Sequence, residues 1–110
     1  MSKKGLFEQS EVELSKVCKA LGHPARIKII KILLANNNQT CKEIVEKIPL
    51  SQSTVSQHLA ELRDAELIIG KNFKTSVIYS VDKTYLSKAQ RMLSDFLNAH
   101  ILNVKQSTLF

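Results

Sequence analysis

Short uncharged side chains that both donate and accept hydrogen bonds are concentrated in residues 51–57, SQSTVSQ. If this segment is helical, a rotation of about 100° per residue places Ser53 and Gln57 opposite the core. Thr54 and Ser56 lie on the flanks of that face. A glutamine can form two hydrogen bonds with an adenine edge, and short hydroxyls can contact bases or phosphates. These residue types therefore predict recognition of nucleic acid by hydrogen bonding.

Two neighbours on the same helix are further candidates for this surface. Gln52 lies nearer the core, but in the first turn it can reach a phosphate. His58 lies about 60° from the core direction. It either contacts DNA or bridges the helix and the following hairpin as a half-buried ring.

Capping signals mark the starts of two short helices joined by a turn. Thr40 and Glu43 fit a capping box, and Ser51 can cap the second helix. Pro49 cannot continue the first helix, so the turn is determined locally. The two helices are predicted at about residues 41–48 and 52–66. This arrangement is typical of a helix-turn-helix.

The hydrophobic period predicts the remaining elements. One helix is expected over residues 8–21 and another from Pro24 to about Asn36, burying Ile27, Ile30, Leu33 and Leu34. Residues 67–81 contain two runs of β-branched and aromatic residues separated by a short polar segment. This pattern predicts a two-stranded hairpin, which is called the wing below. From Asp82 to about Val104 the apolar residues again recur at helical spacing, which predicts a last helix. The fold class is therefore mainly α with a small β-hairpin, a winged helix-turn-helix.

Composition and charge limit the function classes. The chain has 110 residues, 44% of them hydrophobic, and a net charge of +6. These values predict one domain over residues 1–110 with a polyanion as partner. The sequence has no apolar run of about 18 residues and no secretory signal, so we expect a cytoplasmic protein without a membrane partner. Cys18 and Cys41 have no paired spacing, so disulfides are not expected to hold the fold.

The helix predicted at about residues 52–66 is called the reading helix below. The positive charge of the chain lies mostly outside it. Residues 51–66 contain one basic residue, Arg63, and three acidic ones. Phosphate contacts are therefore expected from lysines on the preceding helix and on the wing. The predicted DNA contacts are Lys42, Lys47, Gln52, Ser53, Thr54, Ser56, Gln57, His58, Lys71 and Lys74.

The last helix has a wider apolar surface than one small core needs, which favours a dimer. The predicted subunit contacts on this helix are Leu86, Ala89, Leu93, Phe96, Leu97 and His100.

Three segments of the chain carry a family resemblance: LGHPARIKIIKIL, SQSTVSQHLAELRDAELI and the hairpin end VIYSVD. Over roughly residues 12–103 the sequence resembles the ArsR-type bacterial repressors. The resemblance implies a cytosolic homodimer that blocks transcription until a signal releases it from double-stranded DNA, an operator expected to be an inverted repeat. It implies pairing through the first and last helices as well, which adds Val12 and Val17 of the first helix to the predicted subunit contacts. It also implies a glycine at the wing tip, where this chain has Phe73 and Lys74.

Neither metal site of such repressors is intact in this sequence. The thiolate positions fall on Thr40, Lys42 and Val45, leaving Cys41 out of register, and the last helix offers His100 alone. No metal and no cofactor are therefore expected.

Two alternative functions remain open at this point. One is a protein-protein adaptor using the acidic flank Glu61, Asp64 and Glu66, and the other is a thiol-redox-responsive repressor using Cys18 and Cys41. An enzyme is not expected, because the sequence has no nucleophile-base pair, phosphate loop or paired carboxylates.

Overall fold

The computed structural model describes residues 5–107, and the side chains of residues 5–99. In chain order the elements are α1 (Gln9–Ala20), α2 (Pro24–Ala35), β1 (Gln39–Thr40), α3 (Cys41–Val45), α4 (Gln52–Asp64), β2 (Ile68–Phe73), β3 (Ser76–Val81) and α5 (Lys83–Ser107). This order confirms the predicted mainly helical fold with a small sheet. No helix in the described part of the chain is long and apolar enough to cross a membrane.

Both predicted helix starts of the helix-turn-helix are confirmed. At α3 the Thr40 hydroxyl accepts a hydrogen bond from the Glu43 backbone N–H at 3.1 Å, and the Glu43 carboxylate accepts the Thr40 N–H at 2.8 Å. At α4 the Ser51 hydroxyl accepts the Thr54 N–H at 3.3 Å. These side chains satisfy backbone donors that have no partner inside a helix. The start of α4 is therefore determined by residues adjacent to it in sequence.

The core lies where α2, α3 and α4 meet the sheet. On α4 the three predicted core positions, Val55, Leu59 and Leu62, are fully buried, each 0% exposed. They pack in one cluster with Ile29 and Leu33 of α2. The opposite side of α4 is consequently directed to solvent.

The predicted buried face of α2 is partly wrong. Ile30 and Leu33 are buried as expected, but Ile27 and Leu34 are 49% and 55% exposed. Ile29 and Ile32 are buried in their place. Since eight of the twelve residues of this helix are Ala, Ile or Leu, the spacing of its apolar residues does not distinguish between two neighbouring faces.

The sheet has three strands in the order β1-β3-β2, whereas the sequence predicted two. The extra strand, β1, is two residues long and pairs antiparallel with Tyr79 and Ile78 of β3. The Asn37 side chain, two residues earlier, accepts the Val81 backbone N–H at 3.0 Å. A strand this short has no alternating pattern to detect, and it forms because β3 offers it an unpaired edge.

The wing follows α4 almost directly. The Leu67 N–H donates to the Leu62 carbonyl at 3.0 Å, and the Glu66 N–H donates to the Arg63 carbonyl at 2.9 Å. Glu66 has a φ of 67°, the left-handed conformation that ends a helix in this hydrogen-bond pattern. Leu67 is then fully buried, one residue before β2 begins. The exit from α4 is thus both tight and anchored in the core.

Gln39 is a buried polar residue, 2% exposed, that joins α2 to the turn after α3. Its amide nitrogen donates to the carbonyls of Ile32 and Asn36, and its amide oxygen accepts from the Lys47 ammonium.

We expect Gln39→Ala to lower the free energy of unfolding by about 2 kcal/mol, because it removes three hydrogen bonds of a buried side chain, one of them to a charged group, and leaves a cavity in their place. Urea unfolding measures this value. Lys42→Ala is the control and should change stability by less than about 0.5 kcal/mol, because Lys42 is exposed. An equal, small effect of both changes would contradict this prediction.

Candidate DNA-binding surface

The outer face of α4 carries the predicted reading residues. Gln52, Ser53, Ser56 and Gln57 are exposed, and Thr54 is half-buried. The side chains on the opposite face of the helix are held in the core, so this outer face is fixed in orientation relative to the rest of the subunit.

Two of the predicted hydroxyls are already engaged by the capping serine. The Ser51 hydroxyl donates to the Thr54 hydroxyl at 2.9 Å and lies 3.3 Å from the Ser53 hydroxyl. Within the part of the chain that the structure describes, the side chains of Ser56 and Gln57 make no hydrogen bond. Their full donor and acceptor capacity is therefore free for an external partner.

His58 differs from both sequence-based interpretations. It is 9% exposed and faces the start of α2 rather than solvent or the wing. Its Nδ1 accepts a hydrogen bond from Arg26 Nε at 3.2 Å, and its ring centroid lies 4.4 Å from that of His23. Of the six candidates on α4, His58 is thus the one that the structure turns away from the outer face. Helical periodicity gave no sign of Arg26, which is 32 residues away in sequence.

The wing presents a charged and aromatic tip. Phe73 pairs with Ser76, and Lys74 and Thr75 form the turn between them. Lys74 occupies the left-handed region with a φ of 55°, where glycine is favoured, and its ammonium lies 5.4 Å from the Phe73 ring centroid. Phe73 is 59% exposed. The sequence analysis did not include Phe73 among the contacts, although an aromatic residue at a hairpin tip is itself a signal.

The four lysines predicted to contact phosphate differ in whether their ammonium groups already have a hydrogen-bond partner. Lys42 and Lys71 are exposed, and their ammonium groups have no hydrogen-bond partner in the described residues. Lys47 differs, because its ammonium donates to the buried Gln39 amide. Only by breaking that bond could it turn fully to a phosphate.

Arg63, the one basic residue of α4, lies against the wing. A Cβ placed on Gly70 of β2 would meet Arg63 Nη1 at 3.1 Å and Val77 Cγ1 at 3.1 Å. Glycine therefore allows the guanidinium to lie across the strand. The sequence analysis missed this contact, although a glycine inside a strand is a sign of close approach.

Known proteins that are similar to this chain are bacterial transcriptional regulators. The sequence profile of the bacterial regulatory proteins of the arsR family matches residues 23–69. The transcriptional repressor SdpR of Bacillus subtilis (strain 168) is 31% identical over 85 residues, which are 77% of this chain and 93% of that protein. The chain belongs to the ArsR family. The HTH-type transcriptional regulator YgaV of Escherichia coli (strain K12) is 30% identical over 81 residues, 74% of this chain and 82% of that protein.

Solved structures share the fold of this ArsR-family chain. An ArsR-like transcriptional regulator from Rhodococcus sp. RHA1 superposes with a TM-score of 0.73 at 22% identity, covering 89% of this chain and 94% of that one. HlyU from Vibrio cholerae N16961 superposes with a TM-score of 0.67 at 26% identity, covering 86% and 99%. The predicted winged helix-turn-helix is thereby confirmed. The chain is a DNA-binding transcriptional regulator rather than an enzyme.

The cysteines of this ArsR-family chain lie in different surroundings. Cys18 is exposed on α1, whereas Cys41 is half-buried on α3, and both are free thiols. Burial raises the pKa of the Cys41 thiol, which makes its reactive thiolate scarcer. Within the described residues, no three His, Cys, Asp or Glu side chains are grouped so that they could hold a metal ion.

The predicted subunit-contact residues divide into two groups. Val17 and Ala89 differ from the prediction, because they are only 2% and 4% exposed and pack inside their own subunit. Val12, Leu86 and Leu93 are half-buried. Phe96 and Leu97 are neighbours and remain 45% and 44% exposed, so they add apolar surface beside the half-buried residues of this group. The side chain of His100 lies outside the described residues.

An apolar cleft of about 660 Å³ separates α1 from the middle of α5. It is called the α1–α5 cleft below, and its lining residues are Ser10, Glu11, Leu14, Ser15, Cys18, Met92, Asp95 and Phe96. One ion pair, between Lys88 of α5 and Glu13 of α1 at 3.5 Å, joins the two helices beside it. Leu14, Cys18 and Met92 are cleft residues that the sequence analysis did not include among the contacts.

Proposed function

We propose that this chain is a homodimeric repressor that binds an inverted-repeat operator in the cytoplasm, and that a signal acting on the protein releases it. In this proposal residues 1–110 form one winged helix-turn-helix domain. The observation that carries it is the outer face of α4, where Ser56 and Gln57 are exposed and without hydrogen bonds to described residues, although the helix beneath them is anchored in the core.

Base reading is assigned to α4 and phosphate binding to its surroundings. Gln57 is the residue best suited to a paired contact with an adenine edge in the major groove. Ser53 and Ser56 contact bases or phosphates beside it, and Gln52 and Thr54 contact phosphate at the start of the helix. The lysines provide the attraction that does not depend on sequence, from Lys42 on α3 and from Lys71 and Lys74 on the wing; Lys47 contributes after leaving Gln39.

The proposed dimer rests on the surface that a single subunit leaves uncovered. The helix α5 has 25 residues, about 38 Å of length, whereas α1 beside it has 12. The radius of gyration is 17.0 Å, compared with roughly 13 Å for a compact chain of this size. A second copy placed on the α1–α5 cleft would cover Phe96 and Leu97 and would put two reading helices on one face, as an inverted repeat requires.

Two alanine substitutions test whether α4 reads the bases while the wing binds phosphate. We expect Gln57→Ala to weaken binding to a selected operator by about tenfold and to leave binding to random DNA unchanged, because one base contact is lost. Lys74→Ala should weaken both to a similar degree and reduce the salt slope by about one per subunit. Fluorescence anisotropy on both duplexes over a series of salt concentrations measures these values.

Glu46→Ala is the control for these measurements, because Glu46 is an exposed residue outside the proposed contacts. Its removal of a negative charge should change the salt dependence slightly and the sequence preference not at all. If Gln57→Ala and Lys74→Ala reduced operator and random DNA binding equally, the proposed division would be incorrect.

The adaptor alternative is favoured by one observation: Glu61, Asp64 and Glu66 are all exposed next to the reading face. An adaptor would show no preference between the selected duplex and random DNA, and its weak binding would have a shallow salt slope. The same anisotropy experiment therefore separates the two functions.

A further inference from the structure

A guanidinium group connects the end of α1 to the reading helix. Arg26, in the first turn of α2, is half-buried. Its Nε donates to His58 Nδ1 on α4 at 3.2 Å. Its Nη1 donates to the carbonyls of Lys19 and Ala20, at 3.2 and 3.4 Å, at the end of α1. One side chain thus joins the helix that lines the α1–α5 cleft to the helix that carries Gln57.

A second imidazole completes this junction. His23 precedes α2 and caps it, since its Nδ1 accepts the Ala25 backbone N–H at 3.0 Å. Its ring centroid lies 4.4 Å from that of His58. Both imidazoles therefore use Nδ1 as an acceptor, which is possible only for the neutral tautomer that carries its proton on Nε2.

A proton on His58 would abolish this arrangement. Protonated Nδ1 is a donor, so it would face the Arg26 Nε–H with no acceptor between them. A positive charge would also be added beside one guanidinium and close to a second imidazole, in a site that is 9% exposed. The hydrogen bond that joins α2 to α4 through Arg26 and His58 therefore holds only while this ring is neutral.

We propose that Arg26 and His58 are a positioning pair that holds α4 in its DNA-reading orientation only while His58 is neutral, so that acidification weakens specific DNA binding. This inference rests on the proposed function, because it assumes that the outer face of α4 reads DNA. Neither residue contacts DNA in it. Both act through the placement of α4.

The charged neighbours of His58 mostly favour its neutral form. Burial lowers the pKa of His58 below its ordinary value of 6.5; a proton on the neighbouring His23 ring and the charge of Arg26 act in the same direction, whereas Glu61 acts in the opposite direction. The other charged residues near the junction line a shallow pocket next to Glu61: Lys16 and Lys19 of α1 and Asp64 of α4. Because the unfolded state takes up its proton first as the pH falls, the stability contributed by neutral His58 is present above pH 6.5 and decreases below it.

The test measures affinity for a duplex that the protein selects from a random-sequence pool, between about pH 7.5 and about pH 5.5, where a histidine titrates. Acidification makes the protein more cationic, which by itself strengthens attraction to DNA. For the wild type we nevertheless expect an affinity loss of up to about tenfold per subunit, because only subunits whose His58 is still neutral keep α4 in place, and an imidazole of ordinary pKa is about nine-tenths protonated at about pH 5.5. The expected fall in affinity on acidification is thus opposite to the effect of the added positive charge, so charge alone cannot explain it.

Three variants identify the responsible ring. In His58→Asn the amide oxygen replaces Nδ1 as acceptor and does not titrate, so binding at about pH 7.5 should be retained and the loss on acidification should disappear. His58→Leu removes the acceptor and should bind weakly at both pH values. His23→Asn keeps a good helix cap and should retain the loss on acidification.

Two results would overturn the inference. One is a fall in affinity on acidification that is as large in His58→Asn as in the wild type, and the other is unchanged affinity of His58→Leu at about pH 7.5. Failure of the proposed function gives a different result, in which no duplex is enriched from the pool at any pH. In that case thermal unfolding still tests the pH dependence of the Arg26–His58 pair itself: the wild type should lose more stability on acidification than His58→Asn, and equal losses would reject it.

Discussion

Replacing Phe96 with aspartate is expected to make the protein monomeric and to weaken operator binding by about 100-fold or more. Phe96 is 45% exposed in the subunit, lines the α1–α5 cleft, and is followed by the equally exposed Leu97. A carboxylate at this position would lose its hydration in the dimer without gaining a cation as partner. Loss of the second reading helix then removes the gain from simultaneous binding of two half-sites, about 10² to 10⁴ in affinity.

Light scattering coupled to size exclusion measures the oligomeric state of this variant, and anisotropy measures its affinity for a full operator and for a half-site. The circular dichroism spectrum should remain native, because a residue this exposed is not required for the core of one subunit. Gln90→Asp, exposed on another side of α5, is the matched control and should remain dimeric. A wild-type protein that is monomeric at micromolar concentration would contradict the proposed assembly directly.

Leu59→Ala is expected to have the largest effect on stability, lowering the free energy of unfolding by about 3 kcal/mol. Leu59 is 0% exposed and belongs to the cluster that holds α4 against α2 and the sheet. Truncating it removes apolar contacts and leaves a cavity in a close-packed region. Since small domains have only about 5–15 kcal/mol in total, this loss is a large fraction of the stability.

Urea unfolding of Leu59→Ala and Gln57→Ala gives a matched comparison, because the two residues lie two positions apart on opposite sides of α4. Gln57→Ala should change stability by less than about 0.5 kcal/mol, since Gln57 is exposed and alanine favours the helix. Reversal of this order, with Gln57→Ala more destabilising than Leu59→Ala, would mean that the outer face of α4 is packed rather than free.

Local signals explain why much of the fold was predictable. The caps at Thr40 and Ser51 act over three residues, so they are readable without knowledge of the rest of the chain. The core positions of α4 were also predictable, because its apolar residues are few and lie on one face. The wing turn followed from a polar interval between two β-rich segments.

The errors arose where the partner is distant in sequence. On α2 the apolar residues are too numerous for the period to select a face, so Ile27 and Leu34 were wrongly predicted to be buried. The strand β1 exists through its pairing with β3 and has no pattern of its own. Val17 and Ala89 are apolar like the cleft residues, and only the fold shows that they belong to the core of their own subunit.

On the candidate DNA-binding surface, too, features set within one helix were predictable from the sequence, and contacts between residues distant in sequence were not. The outer residues of α4 follow from periodicity, and the side chains of Ser56 and Gln57 are exposed and make no hydrogen bond to the described residues. The orientation of His58 depends on Arg26, a contact between two helices. The position of Lys47 depends on Gln39, a contact between the turn after α3 and the strand β1. No spacing rule within α3 or α4 could have indicated them.

The tight exit from α4 limits how such a regulator can be switched. With Leu67 buried one residue after the left-handed Glu66, the reading helix and the wing cannot tilt independently. In a dimer built on the α1–α5 cleft, the adjustable quantity is then the separation of the two rigid halves, which must match the helical repeat of the duplex. An inducer need not touch the DNA-facing side chains at all, because a small change of angle at the two-fold axis would put both halves out of phase with the double helix.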